Sequence, residues 1–286
     1  MTKLPLERSQ VVQGSDSLAS FPRTVAEILA TIDNPDGNLK VLVRCINHDP
    51  IIAARVLSVA NRAAVRARRD ADVTDIYTAT SLIGMTRVRQ ITLIGSLQSF
   101  VRNMVADDTG VTLWQHSVAV GVCCEEIAAH VDLPISVDSS LIAGLLHDIG
   151  QFWFQALEPD TFRHCCLDAA ARNVGVEQLE REHFGVDHAT VGWWLAEHWG
   201  LPPDICAAIG GHHAPDGMGE SFLVPIVHVA EVLSNALELS GGSDSNHVSY
   251  ISAAACSKLG LVWNEGSQSL FGRIEARARH ANAFFS

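Results

Sequence analysis

The sequence predicts an all-α protein built as a two-part helical bundle. Three observations carry that prediction. Apolar residues recur at helical spacing along most of the chain, and no segment alternates with period two for long enough to argue a sheet. Short Gly, Pro and Asp clusters punctuate the pattern, as at Asn34-Pro35-Asp36-Gly37 and Gly200-Leu201-Pro202-Pro203. The charge also changes character: residues 1–110 hold 13 Lys/Arg against 11 Asp/Glu, and the remainder holds 7 against 21. Such a break supports two subdomains. The expected boundaries are a tail or linker at 1–17, an N-terminal helical subdomain at 18–108 and a second helical subdomain at 109–286.

The totals bound the function classes. A chain of 286 residues can bury a sizeable core, and 48% hydrophobic residues with a mean hydropathy of +0.17 exclude general disorder. No apolar run reaches the roughly 18 residues that span a bilayer. Residues 1–8 lack the apolar core of a signal peptide. Membrane insertion is therefore not expected. The net charge of −12 argues against a nucleic-acid partner, because phosphate contacts need clustered cations. Seven cysteines, including the neighbours Cys123-Cys124 and Cys165-Cys166, fit no zinc ribbon and read as buried thiols in a reducing cytoplasm.

The elements follow in order. Residues 1–17 are polar and mixed. A helix led by Pro22 carries Val25, Ile28, Leu29 and Ile32, and a short one covers Leu39 to Ile46. Asp49-Pro50 caps a third helix with Ile51, Ile52, Ala54, Val56 and Leu57. Asn61 to Asp72 reads as a loop containing Arg62, Arg66, Arg68 and Arg69. These cations could clamp a phosphate or an acidic partner, or sit at a solvated helix end. Thr74 is expected to cap a helix broken at Gly84, and Thr86 to start another. Asp107-Asp108-Thr109-Gly110 separates the halves.

The second half opens with a long helix from Leu113 to about Val131, on which His116 shares a face with Val120, Cys123, Cys124 and Ile127. Asp187 can cap a helix whose apolar stripe includes His188. A later helix terminates in Gly210-Gly211-His212-His213. The helix from Phe222 to Leu237 places Glu231 in step with Val224, Val227 and His228. Segment 241–245 is expected to be flexible. The Trp193-Trp194 pair and Trp199 read as core and interface, in acidic surroundings.

The organising stretch is Leu141-Ile142-Ala143-Gly144-Leu145-Leu146-His147-Asp148-Ile149-Gly150. An apolar helix ends in an adjacent His-Asp pair, with Gly150 expected to stop it in the left-handed conformation. Burying imidazole beside carboxylate is costly unless hydrogen bonds or a cation compensate. Ten of the thirteen histidines lie between His116 and His228. The candidate set is His116, His147, Asp148, His188, His212, His213 and Glu231. Imidazole nitrogens with one or two carboxylates suit a divalent iron, manganese, zinc or magnesium ion. A hydrogen-bonded polar core is the alternative. Which of His212 and His213 points inward is left open. His130, His164, His183, His198 and His247 read as surface or incidental.

His147-Asp148-Ile149-Gly150 after small and apolar residues resembles the HD superfamily of metal-dependent phosphohydrolases. Leu18-Ala19-Ser20-Phe21-Pro22, His48-Asp49-Pro50 with its helix to Asn61, and Ala79 to Leu82-Ile83-Gly84 narrow the resemblance to the HDOD family (HD-related output domain), over roughly 17–237. The resemblance implies HDOD-specific N-terminal helices and an HD-like C-terminal bundle. It further implies a regulatory role at the output end of bacterial signalling proteins, a signalling protein partner, and in many relatives an upstream receiver or sensor domain. It assigns His116 to the first ligand, His147-Asp148 to the motif pair and Glu231 to the place of a final aspartate. His188 and His212 or His213 match the additional histidines of two-metal relatives such as the HD-GYP cyclic di-GMP phosphodiesterases. In a working enzyme Asp148 would be the catalytic candidate, bridging or orienting the nucleophile. Glu231 instead of aspartate, Gln151 where catalytic relatives often have lysine, and the lack of a Gly-Tyr-Pro element weigh against catalysis. The favoured expectation is output by protein contact. The rivals are a metal-dependent phosphohydrolase acting on a nucleotide or cyclic dinucleotide, and a module in which Arg62, Arg66 and Arg69 hold a nucleotide phosphate.

Overall fold

The computed structural model describes residues 5–18, 20–30, 35–66, 72–217, 219–239, 250–264 and 267–285. Every regular element among them is helical, and they contain no strand. Two compact units emerge: Phe21–Phe100, and Met1–Ser20 together with Val101–Ser286. The division therefore falls close to the charge break, with one correction at the N-terminus.

Residues 1–17 are not simply a tail. Helix α1 (Arg8–Asp16) belongs to the larger unit and packs on a helix almost two hundred residues away. Val11 is fully buried there, and its carbonyl accepts a hydrogen bond from Trp153 Nε1 at 3.1 Å. The low apolar content of this stretch hid the docking, which rests on Val11, fully buried, and on Leu6 packed against the same core.

The smaller unit contains α2 (Arg23–Leu29), α3 (Pro35–Asn47), α4 (Pro50–Arg66) and α5 (Ile76–Ile83). Val25 and Ile28 of α2, Leu42 and Ile46 of α3, and Ile52, Val56 and Ala60 of α4 are buried at helical spacing. Asp49 Oδ1 accepts the N–H groups of Ile51 and Ile52, capping α4 as its sequence predicts. Two local expectations need correction. The stretch from Asn61 to Arg66 is helical, not loop: Ala64 is buried, and the Asn61 carboxamide brackets the backbone N–H and C=O of Val73 at 2.8 and 2.9 Å. The cap of α5 is Asp75, which accepts from Thr78 N, rather than Thr74. Gly84, at φ 84°, ends α5, and α6 (Met85–Met104) carries the chain into the larger unit.

That unit is organised on α7 (Asp108–His130), which is N-capped by Asp107 and buried on nearly all sides. Then come α8 (Val137–Leu146), α9 (Ile149–Leu157), α10 (Pro159–Arg172), α11 (Val176–Phe184), α12 (His188–His198) and α13 (Pro203–Gly211). A 3₁₀ turn (Pro215–Gly217), α14 (Leu223–Ala236), α15 (Ala253–Leu259) and α16 (Ser267–Phe285) complete it. Helices α8, α14 and α16 pack on α7, and α12 packs on α1, α9 and α13. Phe154 stacks on Phe162 and Phe184 in a core that also holds Val11, Trp153, Leu179, Val191 and Leu195. Trp194 and Trp199 pack against it, whereas Trp193 is exposed. Arg273 and Arg277 of α16 pair with the buried Glu125 and Glu126 of α7.

All seven cysteines are free thiols. Among the described residues no helix is long and apolar enough to cross a membrane. The segment 241–245 and His247 lie outside the described residues.

Candidate metal centre

Six helices deliver the candidate donors to one place. His116 comes from the middle of α7, and His147 and Asp148 form the junction between α8 and α9. His188 opens α12, His212 and His213 follow α13, and Glu231 lies on α14. Gly150 does not end the helix in the left-handed conformation. It sits in the first turn of α9, where a Cβ would lie 2.1 Å from the backbone oxygen of His188. Glycine is required there for close approach of α9 to α12, which brings His188 against Asp148.

Asp148 is the hub. Its Oδ2 lies 3.3 Å from His147 Nε2 and 3.7 Å from His116 Nε2; its Oδ1 lies 3.2 Å from His188 Nε2 and 3.7 Å from His212 Nε2. Each carboxylate oxygen thus faces a different set of imidazoles. Two donor groups result, one of His116, His147 and Glu231 and one of His188, His212 and His213. In each, the ligand atoms lie within 4.8 Å of one another. Both His212 and His213 take part, with His213 Nε2 at 2.8 Å from His188 Nε2.

Backbone carbonyls fix the tautomers. His147 Nδ1 donates to Gly144 O and His212 Nδ1 to Ile209 O, each at 2.8 Å, so both rings turn Nε2 toward the centre. Buried His147 Nε2, His212 Nε2 and Glu231 Oε2 have no hydrogen-bond partner. Such atoms are expensive to bury, and a divalent ion held by imidazole and carboxylate would satisfy them. The residues fit a metal.

The electrostatics divide the donors. Burial, reinforced by neighbouring imidazoles, lowers His116 to about 4 and His212 to about 3, leaving neutral ligands. Burial pulls His188 down as well, but the carboxylates of Glu180 and Asp148 outweigh it and hold His188 well above the usual range. Burial and then Asp148 push Glu231 well up. Asp148 stays well below the carboxylate range because His147 and His188 outweigh its burial.

Two participants escaped the sequence reading. Glu180 on α11 accepts both the backbone N–H and Nδ1–H of His188 through Oε2, each at 2.7 Å. Its signal was present: with Val176, Leu179 and Phe184 it lies on the buried stripe of α11, an unusual place for a carboxylate. His228 donates from Nδ1 to His212 O and accepts Ser252 N at Nε2, so it braces the backbone of a candidate ligand. The arginines behave differently. Arg62 and Arg66 are exposed on α4, Arg62 donates to Ser58 Oγ, and Arg68 and Arg69 lie outside the described residues.

Comparison with known proteins places the chain in a family. The model of the HDOD domain matches residues 18–215. An uncharacterised protein of Treponema pallidum is 27% identical over 198 residues, 69% of this chain but only 38% of that protein. Among solved structures, a Marinobacter aquaeolei protein provisionally named for signal transduction superposes with a TM-score of 0.77 at 20% identity, covering 99% of this chain and 62% of its own. A Shewanella amazonensis protein provisionally named a phosphohydrolase gives 0.72 at 22% identity, covering 96% and 98%. At these identities the likeness is one of fold.

Proposed function

The chain belongs to the HDOD family, and on that premise we propose that it is a signal-output module acting by protein contact, its buried histidine centre stabilising the fold rather than turning over a substrate. Burial carries this reading. His116, His147, Asp148, His188, His212 and Glu231 are each at most 1% exposed, and only His213 is half-buried. A catalytic metal keeps a coordination position open to water and substrate, whereas a structural one is closed. Gln151 and Glu231, in places where catalytic HD proteins often carry lysine and aspartate, support the same reading. In the cell the module would receive its signal from an upstream receiver or sensor domain and pass it to a signalling protein. Free thiols and an acidic net charge support a cytoplasmic location and a partner other than nucleic acid.

The donor set would hold iron, manganese, zinc or magnesium. His116, His147 and Glu231 form one half, His188, His212 and His213 the other, with Asp148 between. Such an ion supplies Lewis acidity and, where water reaches it, a nucleophile at neutral pH. That chemistry favours a second reading, a phosphohydrolase acting on a nucleotide or cyclic dinucleotide with Asp148 as the catalytic candidate.

Metal analysis and a hydrolysis screen separate the two. Protein purified without chelator should hold one or two equivalents of metal, lost in His147→Ala, and should release no phosphate from nucleotides or cyclic di-GMP. Rapid turnover that disappears in both His147→Ala and Asp148→Ala would overturn the contact reading.

A further inference from the structure

Beside the centre, the larger unit contains a cavity of about 350 Å³ that the metal reading leaves unused. It is lined from α7, α9 and α10. On α7 the lining residues Thr109, Thr112 and Leu113 stand at the helical spacing that His116 continues one turn later. On α9 the lining residues Gln151 and Gln155 continue the spacing that begins at Asp148. Two helix faces therefore run from this cavity to the histidine centre, a route by which occupancy at one place can strain the other.

The wall chemistry selects a ligand. Arg163, exposed at the edge, has no ion-pair partner among the described residues, and a free guanidinium suits a phosphate. Asp108, in the first turn of α7, offers carboxylate oxygens to hydroxyl groups. Gln155 Nε2 is committed to Asp107 Oδ2 at 2.9 Å, which leaves its Oε1 to accept. The Thr112 hydroxyl donates to Asp108 O, which likewise leaves acceptor lone pairs. Leu167, exposed on α10, contributes an apolar surface for a flat ring. Burial and then the Glu180 carboxylate push the Cys166 thiol up to about 12, making it a neutral wall group rather than a nucleophile.

We infer that this cavity binds a nucleoside monophosphate whose base carries an exocyclic amine, as a sensory input to the module. Arg163 takes the phosphate, Asp108 the ribose hydroxyls, and the acceptors of Gln155 and Thr112 the amine. The size agrees, lying at the small end of the roughly 300–1,000 Å³ of small-molecule sites; a cyclic dinucleotide is twice as large. The role as an input rests on the signalling reading above, whereas binding itself does not.

The test is isothermal titration calorimetry of the full chain with AMP, adenosine and UMP, with phosphate release followed in the same samples. AMP should bind at least about tenfold more tightly than adenosine, the range of a charge-assisted contact, and more tightly than UMP. Arg163→Ala should reduce AMP to the level of adenosine, and Thr112→Trp, which fills the cavity, should abolish binding. Absence of AMP binding at millimolar concentration, or binding unchanged in both variants, would overturn the inference and leave the contact reading standing. AMP binding accompanied by His147-dependent phosphate release would retain the site and overturn the non-catalytic reading instead.

Discussion

The α-carbon of Gly150 abuts the backbone of His188, so closely that a single methyl group would sit 2.1 Å from the His188 carbonyl oxygen and 2.8 Å from its carbon. Backbone is on the other side of the contact, so no side chain can rotate away. Gly150→Ala is expected to destabilise the chain by about 1–3 kcal/mol, as overpacking of a tight core does. It should also weaken metal binding by moving His188 from Asp148. Urea unfolding and a metal titration check both effects; an unchanged midpoint would contradict the contact.

Glu180 should act as a positioning residue for His188. Its carboxylate receives two hydrogen bonds from that residue and fixes both the ring and the start of α12. Glu180→Gln preserves size and removes the charge that makes the imidazole a strong donor. Metal affinity is expected to fall about 10–100-fold, the usual effect of losing a carboxylate behind a histidine ligand. A chelator competition titration measures it, and affinity equal to that of the unaltered chain would rule the role out.

The metal-free chain should be most stable near pH 6.5. His116, His147, His212 and His213 are lowered in the fold by burial, His116 to about 4 and His212 to about 3. Below about 6.5 the unfolded chain therefore binds more protons at these sites, and stability falls as pH falls toward those values. His188 has the opposite sign, because Glu180 and Asp148 overcome its burial. Its contribution is complete below about 6.5 and is lost as pH rises through its raised folded value. Glu231, raised by burial and Asp148, also costs stability as pH rises above 4.5. Urea midpoints at pH 5, 6.5 and 8 test this; a monotonic rise from 5 to 8 would count against it.

Val11→Ala should cost about 2 kcal/mol, the transfer of two methyl groups plus a small cavity. A disordered tail would show no change. The same urea experiment decides, and it reports directly on whether α1 is part of the larger unit.

Much of this protein was legible in one dimension. Helical periodicity with no period-two stretch is a local property, so the all-α class follows from the order of residues alone. The charge break near residue 110 lies close to the observed division. The family followed from ordered motifs; His116, His188 and Glu231 were each marked by a polar group on an apolar stripe, and His147 and Asp148 by the pair that ends an apolar helix. What the sequence could not supply is distance between helices. Gly150 looked like a helix terminator because a glycine after an apolar run usually is one; only the approach of α12 reveals it as a contact. Asn61 looked like a loop residue until its carboxamide met Val73. Glu180 was hidden among acidic neighbours, although it is the buried carboxylate of α11 and turns inward to His188, and the inclusion of both His212 and His213 depends on where α13 ends in space. Periodicity determines which face of a helix is buried. Which faces meet, and therefore which buried polar atoms share a centre, is decided by packing among segments far apart in the chain.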